Sequence, residues 1–150
     1  MSELRLEELS ASTIVAANSL NLKPGQEAFV APTSYALAES YFNPATEWPR
    51  VVLEGNTVVG FIRGHFDPET EQPEFRSCIW RITVSADAQG KGVGRFAVLA
   101  LAEEAKSRGF SRLTVLWDEG DKSPGEFFHK LGFVDIGTTR YGETIGELAL

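Results

Sequence analysis

The chain has 150 residues, enough for one domain with a sizeable core, and its 43% hydrophobic and 23% charged residues are ordinary for a soluble globular protein. A formal net charge of −7 argues against general nucleic-acid binding, and no apolar run approaches the roughly 18 residues of a membrane span. The single cysteine, Cys78, excludes an internal disulfide framework, and with the two distant histidines, His65 and His129, it makes no metal cluster.

The N-terminus is charged and lacks an apolar signal core, so the expected location is the cytoplasm. Leu4, Arg5 and Leu6 begin a short alternating strand. Ser10 and Ser12 offer caps for a helix over 13–20, and Pro24-Gly25 marks a turn. A second helix is predicted over 34–42, capped by Thr33 or Ser34 and stopped by Asn43-Pro44; Tyr35 lies on it, as core or as part of an acceptor pocket. Residues 49–53 and 57–63 read as a hairpin about Glu54-Gly55-Asn56. Residues 65–72 carry Asp67, Glu69 and Glu71 and read as an exposed loop. A long strand follows over 75–84, with Cys78 a buried thiol within it. The helix over 95–107 shows Val98, Leu101, Ala102 and Ala105 at helical spacing, with Gly109 as its C-terminal cap. Beyond it come a strand over 113–117, a polar loop over 118–123 and a short helix over 124–131 with proline in its first turn. Gly132 ends that helix, and strands over 133–136 and 144–150 complete the chain. Neither an internal repeat nor a dividing linker is present, so 1–150 reads as a single domain. The order β-α-α-β-β-β-α-β-α-β-β predicts an α/β fold with a central twisted, mixed sheet and helices on both faces.

The stretch Gln89-Gly90-Lys91-Gly92-Val93-Gly94 joins an apolar strand to the long helix. Glycine permits positive φ and close approach of a ligand to the backbone, and N–H groups ahead of a helix N-terminus form an anion site. A Walker loop would need Lys-Ser/Thr after the last glycine, where Arg95-Phe96 stands, and the dinucleotide fingerprint needs another glycine spacing. Through Gln89, Gly92 and Gly94 the stretch resembles the Gln/Arg-x-x-Gly-x-Gly/Ala pyrophosphate loop of the GNAT superfamily of acyl-CoA-dependent N-acyltransferases. Phe127-Phe128-His129-Lys130-Leu131-Gly132-Phe133 resembles that superfamily's C-terminal Phe-Tyr-x-Lys-Leu-Gly-Phe phrase. Residues 26–39 and Trp80-Arg81-Ile82 look like the bacterial diamine or polyamine acetyltransferase branch.

The resemblance implies the GNAT fold, acetyl-CoA as cofactor and no metal. It implies transfer of an acetyl group in a ternary complex to a primary amine, such as a small di- or polyamine; a homodimer is compatible with it. Backbone groups of Ile82, Thr83 and Val84 would pair with the pantetheine arm. Gln89, Gly90, Lys91, Gly92, Val93, Gly94 and Arg95 would form the pyrophosphate site, with Lys91 or Arg95 adding charge, and Asp121, Phe127 and Phe128 would complete the cofactor's surroundings. Phe128 stands where the family has the tyrosine that protonates the departing thiolate, and phenylalanine has no proton to give. Tyr141, Tyr35 and His129 are the other candidate donors. Glu74 and Glu39 are the candidate bases for deprotonating the amine.

Overall fold

The computed structural model describes residues 3–10, 12–18, 20 and 45–150. The helix predicted over 34–42, with Tyr35 and Glu39, lies outside the described residues. Seven strands form one sheet: β1 (Leu4–Glu8), β2 (Glu47–Glu54), β3 (Thr57–Phe66), β4 (Ser77–Val84), β5 (Arg112–Trp117), β6 (Val134–Thr138) and β7 (Thr144–Ala149). Their spatial order is β1-β2-β3-β4-β5-β7-β6, and every pairing is antiparallel except β4 with β5. A parallel pair needs a long crossover, and α2 (Val93–Ser107) supplies it. The helices α1 (Ile14–Asn18) and α3 (Gly125–Lys130) are short. The mixed α/β architecture expected from the sequence is therefore present.

The core lies in two layers. On one face, Val98, Leu101 and Ala105 of α2 pack on Val52, Ile62 and Ile79 of the sheet. On the other, Ala17 of α1 meets Val51, Leu53 and Phe61. Strand alternation explains the division, since Val51 and Val52, or Phe61 and Ile62, point to opposite faces.

Several element bounds differ from the sequence reading. The long helix starts at Val93 rather than at residue 95: Gly92, at φ +87°, turns the chain as the N-cap, and Val93 is already buried against the core. β3 runs on through His65 and Phe66, which were expected in a loop, because β2 and β4 both continue alongside them. Residues Pro73–Phe75 form a 3-10 turn ahead of β4, begun by a proline that cannot donate to a ladder. The first helix is shorter than the expected 13–20. Pro124 takes the N-cap of α3 rather than a place within it. Phe133 belongs to the cap of α3, not to a strand. Gly132 N–H donates to His129 O and Phe133 N–H to Phe128 O, the 5→2 and 6→1 bonds of a Schellman cap around Gly132 at φ +104°. Gly109 and Phe110 close α2 in the same way.

Candidate functional site

β4 and β5 pair at only two positions, Cys78 with Thr114 and Ile79 with Val115. On its other side β4 stays paired with β3 as far as Val84. Among the described residues, β4 therefore has no ladder pairing with β5 from Trp80 to Val84, and the two strands open into a wedge. An unpaired edge of this kind is a template for an extended ligand.

The wedge opens toward the glycine turn. The first bond within α2 runs from Phe96 N–H to Gly92 O at 3.0 Å, so the N–H groups of Val93, Gly94 and Arg95 have no acceptor inside the helix. Gly92 has no side chain with which to cap them. Gly90 (φ +78°) and Gly92 (φ +87°) both adopt the left-handed region, and a Cβ built on either would meet no protein atom within 4 Å. The mouth of the helix is thus open, rich in donors and at the positive end of the helix dipole, which suits a phosphate. Lys91 and Arg95 are exposed on either side of it. Gln89 Nε2 donates to Val84 O at 3.0 Å and ties the turn to the end of β4.

Gly94 serves a different purpose from its two neighbours. It lies inside the first turn of α2, and a Cβ there would come 2.9 Å from Phe127 Cζ. Its lack of a side chain lets Phe127 of α3 close against α2 beside the turn. Phe128 points inward and is 1% exposed, with its ring stacked on Trp117 (centroids 5.5 Å, planes 19° apart) and edge-on to Phe133. Asp121 is exposed in the loop after β5. Tyr141 is 75% exposed on the turn between β6 and β7, where its hydroxyl accepts from Arg140 Nη2. His129 faces β6, with Nε2 2.6 Å from Asp135 Oδ1. Glu74 lies at the closed end of the wedge, in a groove it shares with Arg76, Ser77, Arg112 and Thr114. Its carbonyl accepts from Thr114 Oγ1 at 2.6 Å.

The structure also assembles a cluster that sequence reasoning missed. Arg63 pairs with Arg81 and Gly64 with Ile79, so Trp80 is an extra residue in β4. Such a bulge re-aims side chains. Trp80 thereby joins Arg63 and His65 on the face that carries α1, its ring 4.8 Å from that of His65 and 5.3 Å from the Arg63 guanidinium carbon. Glu47 of β2 ties the group together. Its Oε1 accepts from Arg63 Nε at 2.6 Å and also from Arg63 Nη2, while its Oε2 meets His65 Nδ1 at 2.5 Å and Thr46 Oγ1 at 2.8 Å. Burial by itself would raise the Glu47 carboxyl, but the hydrogen bonds from His65, Thr46 and Arg63 outweigh it and hold the group below its usual range. Nearby, burial and then the charge of Arg63 lower Arg81 to about 10. Burial, reinforced by Glu47, pushes the Cys78 thiol up to about 12, so it is an inert core thiol as expected. Thr83 Oγ1, on the same face, is buried without a hydrogen-bond partner. The sequence signal for this cluster was slight: a charged residue at the head of one apolar run and a histidine at the tail of the next.

Residues 16–133 match the family model described as Acetyltransferase (GNAT) family. The chain belongs to the GNAT family. GNAT acetyltransferases use acetyl-CoA, and the open turn and free edge of β4 suit its pyrophosphate and its extended arm. Solved structures share the GNAT fold over essentially the whole chain. An acetyltransferase from Thermus thermophilus superposes with a TM-score of 0.78 at 18% identity, covering 100% of both chains. A PaiA N-acetyltransferase from Thermoplasma acidophilum, in complex with coenzyme A, gives 0.75 at 14% identity over 99% of both. The ribosomal-protein-S18-alanine N-acetyltransferase of Escherichia coli gives 0.72 at 16% identity, over 98% of this chain and 94% of that one. No curated protein sequence matches the chain. Among the described residues no helix is long and apolar enough to cross a membrane. None of their acidic, histidine and cysteine side chains form a group of three or more able to hold a metal ion.

Proposed function

We propose that this GNAT protein is an acetyl-CoA-dependent N-acetyltransferase that acts on the primary amine of a small acceptor. The observation that carries the reading is the open edge of β4 running directly into a helix mouth whose first three N–H groups have no acceptor inside the helix. The N–H groups of Val93, Gly94 and Arg95 hold the pyrophosphate, and Lys91 or Arg95 adds a charge-assisted contact. Backbone groups of Ile82, Thr83 and Val84 accept the pantetheine arm as a neighbouring strand would be accepted. Phe127 packs against Gly94 beside the turn, Phe128 stands behind Phe127 in the core, and Asp121 is a further residue for the cofactor. Acetyl-CoA supplies the acyl carbon as a thioester, whose thiolate is a fair leaving group without a dedicated acid.

The net charge of −7 supports cationic acceptors, including di- and polyamines, through long-range attraction. The acidic loop after β3 adds to this only from a distance, because it lies at the end of β4 opposite the glycine turn. One residue favours a second reading. With Phe128 in place of a proton donor, the protein would bind CoA with weakened or lost catalysis and serve as a sensor or regulatory subunit. Release of free CoA from acetyl-CoA, measured with diamines, neutral amines and anionic amines at low and moderate salt, separates the readings. Turnover that is fastest with diamines and falls with added salt is the expected result. No release above the amine-free rate refutes the enzyme reading, and faster turnover of neutral or anionic amines refutes the polyamine assignment.

A further inference from the structure

We propose that His65 is the base that removes the proton from the acceptor's ammonium, with Glu47 as the residue that positions it. The inference deepens the acetyltransfer reading and rests on it. Three observations lead to it. First, the free edge of β4 runs from Val84 back to Trp80 over about 13 Å, at roughly 3.3 Å per residue, and stops where β5 joins at Ile79. A chain laid along that edge from the glycine turn brings its far end to the bulge at Trp80. Second, α2 covers one face of the sheet there, so an acceptor approaches from the face that carries α1. Third, the group beside the bulge on that face is His65, 19% exposed and in ring contact with Trp80, which is itself 44% exposed. An indole face attracts an ammonium.

The hydrogen bonding fixes what the imidazole can do. Glu47 is an acceptor held in the ionised form, so the proton of neutral His65 resides on Nδ1 and donates to Glu47 Oε2. Nε2 then carries a lone pair and has no hydrogen-bond partner among the described residues. Glu47 and Arg63 are the charged groups nearest the ring on β2 and β3. Cys78, opposite in register, and Arg81 are those on β4, and α1 carries no charged residue. In the step itself, one N–H bond of the ammonium breaks and an N–H bond forms at Nε2, directly or across one water. The imidazolium so formed is stabilised by the Glu47 carboxylate. The freed amine lone pair forms the N–C bond to the acyl carbon while the C–S bond breaks and its electrons leave with sulfur. One of the two protons left on the amine nitrogen and the imidazolium proton go to solvent, and the other amine proton stays as the N–H of the product amide.

The test has an arm that measures activity and an arm that does not. In His65→Gln and His65→Asn, turnover with the preferred amine should fall by roughly 10²- to 10⁴-fold. Affinity for acetyl-CoA should stay within about twofold of wild type, the acid limb of the pH–rate profile should vanish, and added imidazole should restore part of the rate. Without any acyl donor, NMR of the ¹⁵N-histidine-labelled protein should show His65 protonated on Nδ1 and bare on Nε2, with the Nε2 signal moving when a diamine is added. Wild-type turnover retained in both variants, an acid limb that disappears instead in Glu74→Gln, or an Nε2–H tautomer would each overturn the assignment. A wild-type protein that releases no CoA with any amine would refute acetyltransfer itself, a result distinct from all of these.

Discussion

Replacing Gly92 with alanine separates the glycine turn's structural task from its proposed ligand task. Gly92 sits at φ +87°, and a Cβ there meets nothing within 4 Å, so the free protein suffers only the backbone cost of an L-residue in the left-handed region. That cost is about 1–2 kcal/mol. For a chain of this size each kcal/mol lowers Tm by about 2–4 °C, so a fall of roughly 2–8 °C is expected. Binding should suffer more, because the added methyl projects into the space before the free N–H groups of α2. Displacing one hydrogen bond to a charged phosphate costs about 1.5–3 kcal/mol, which corresponds to a roughly 10- to 150-fold weaker Kd. Gly55→Ala is the control. Gly55, at φ +62° in the turn between β2 and β3, is equally open, so the variant should lose similar stability and no affinity. Calorimetric titration with acetyl-CoA and thermal unfolding of both variants decide the matter. A folded Gly92→Ala protein with undiminished affinity, or an equal loss in Gly55→Ala, would refute the phosphate reading.

Two further outcomes follow from buried groups. Phe128→Tyr places a hydroxyl on a ring enclosed by Trp117, Phe127 and Phe133, where an unpaired hydroxyl costs about 1–3 kcal/mol; Tm should drop and turnover should stay flat or fall, and a rate increase above tenfold would show the missing phenol to be the defect. Glu47, held below its ordinary value of 4.5, contributes stability that is present above the unfolded-state value and lost as pH falls through the folded one. The stability gap between wild type and Glu47→Gln, measured by denaturant unfolding, should therefore narrow from pH 6 to pH 3; a gap independent of pH contradicts the pairing.

Local chemistry writes part of this protein into consecutive residues. The glycine turn was legible because positive φ at Gly90 and Gly92 is a local demand that few other residues meet. The cap of α3 was legible for the same reason, through Gly132, and α2 through its 3.6-residue apolar stripe. The hairpin between β2 and β3 was marked by Gly55-Asn56 between two apolar runs. Tertiary structure alone decided the wedge and the cluster beside it. Nothing in the composition of β4 or β5 says that their pairing stops after two residues. The bulge at Trp80 is a register event between β3 and β4, and it carries a side chain to a face that simple alternation would not give it. Arg63 and His65 stand 16 and 18 positions from Glu47 along the chain and meet it only across the pairing of β2 with β3. Taken one at a time, a glutamate and a histidine read as solvent-facing, because burying either alone is costly. The burial of Glu47 is stable only because Arg63 supplies the opposite charge and His65 and Thr46 supply hydrogen bonds, and that compensation exists only after the strands have met.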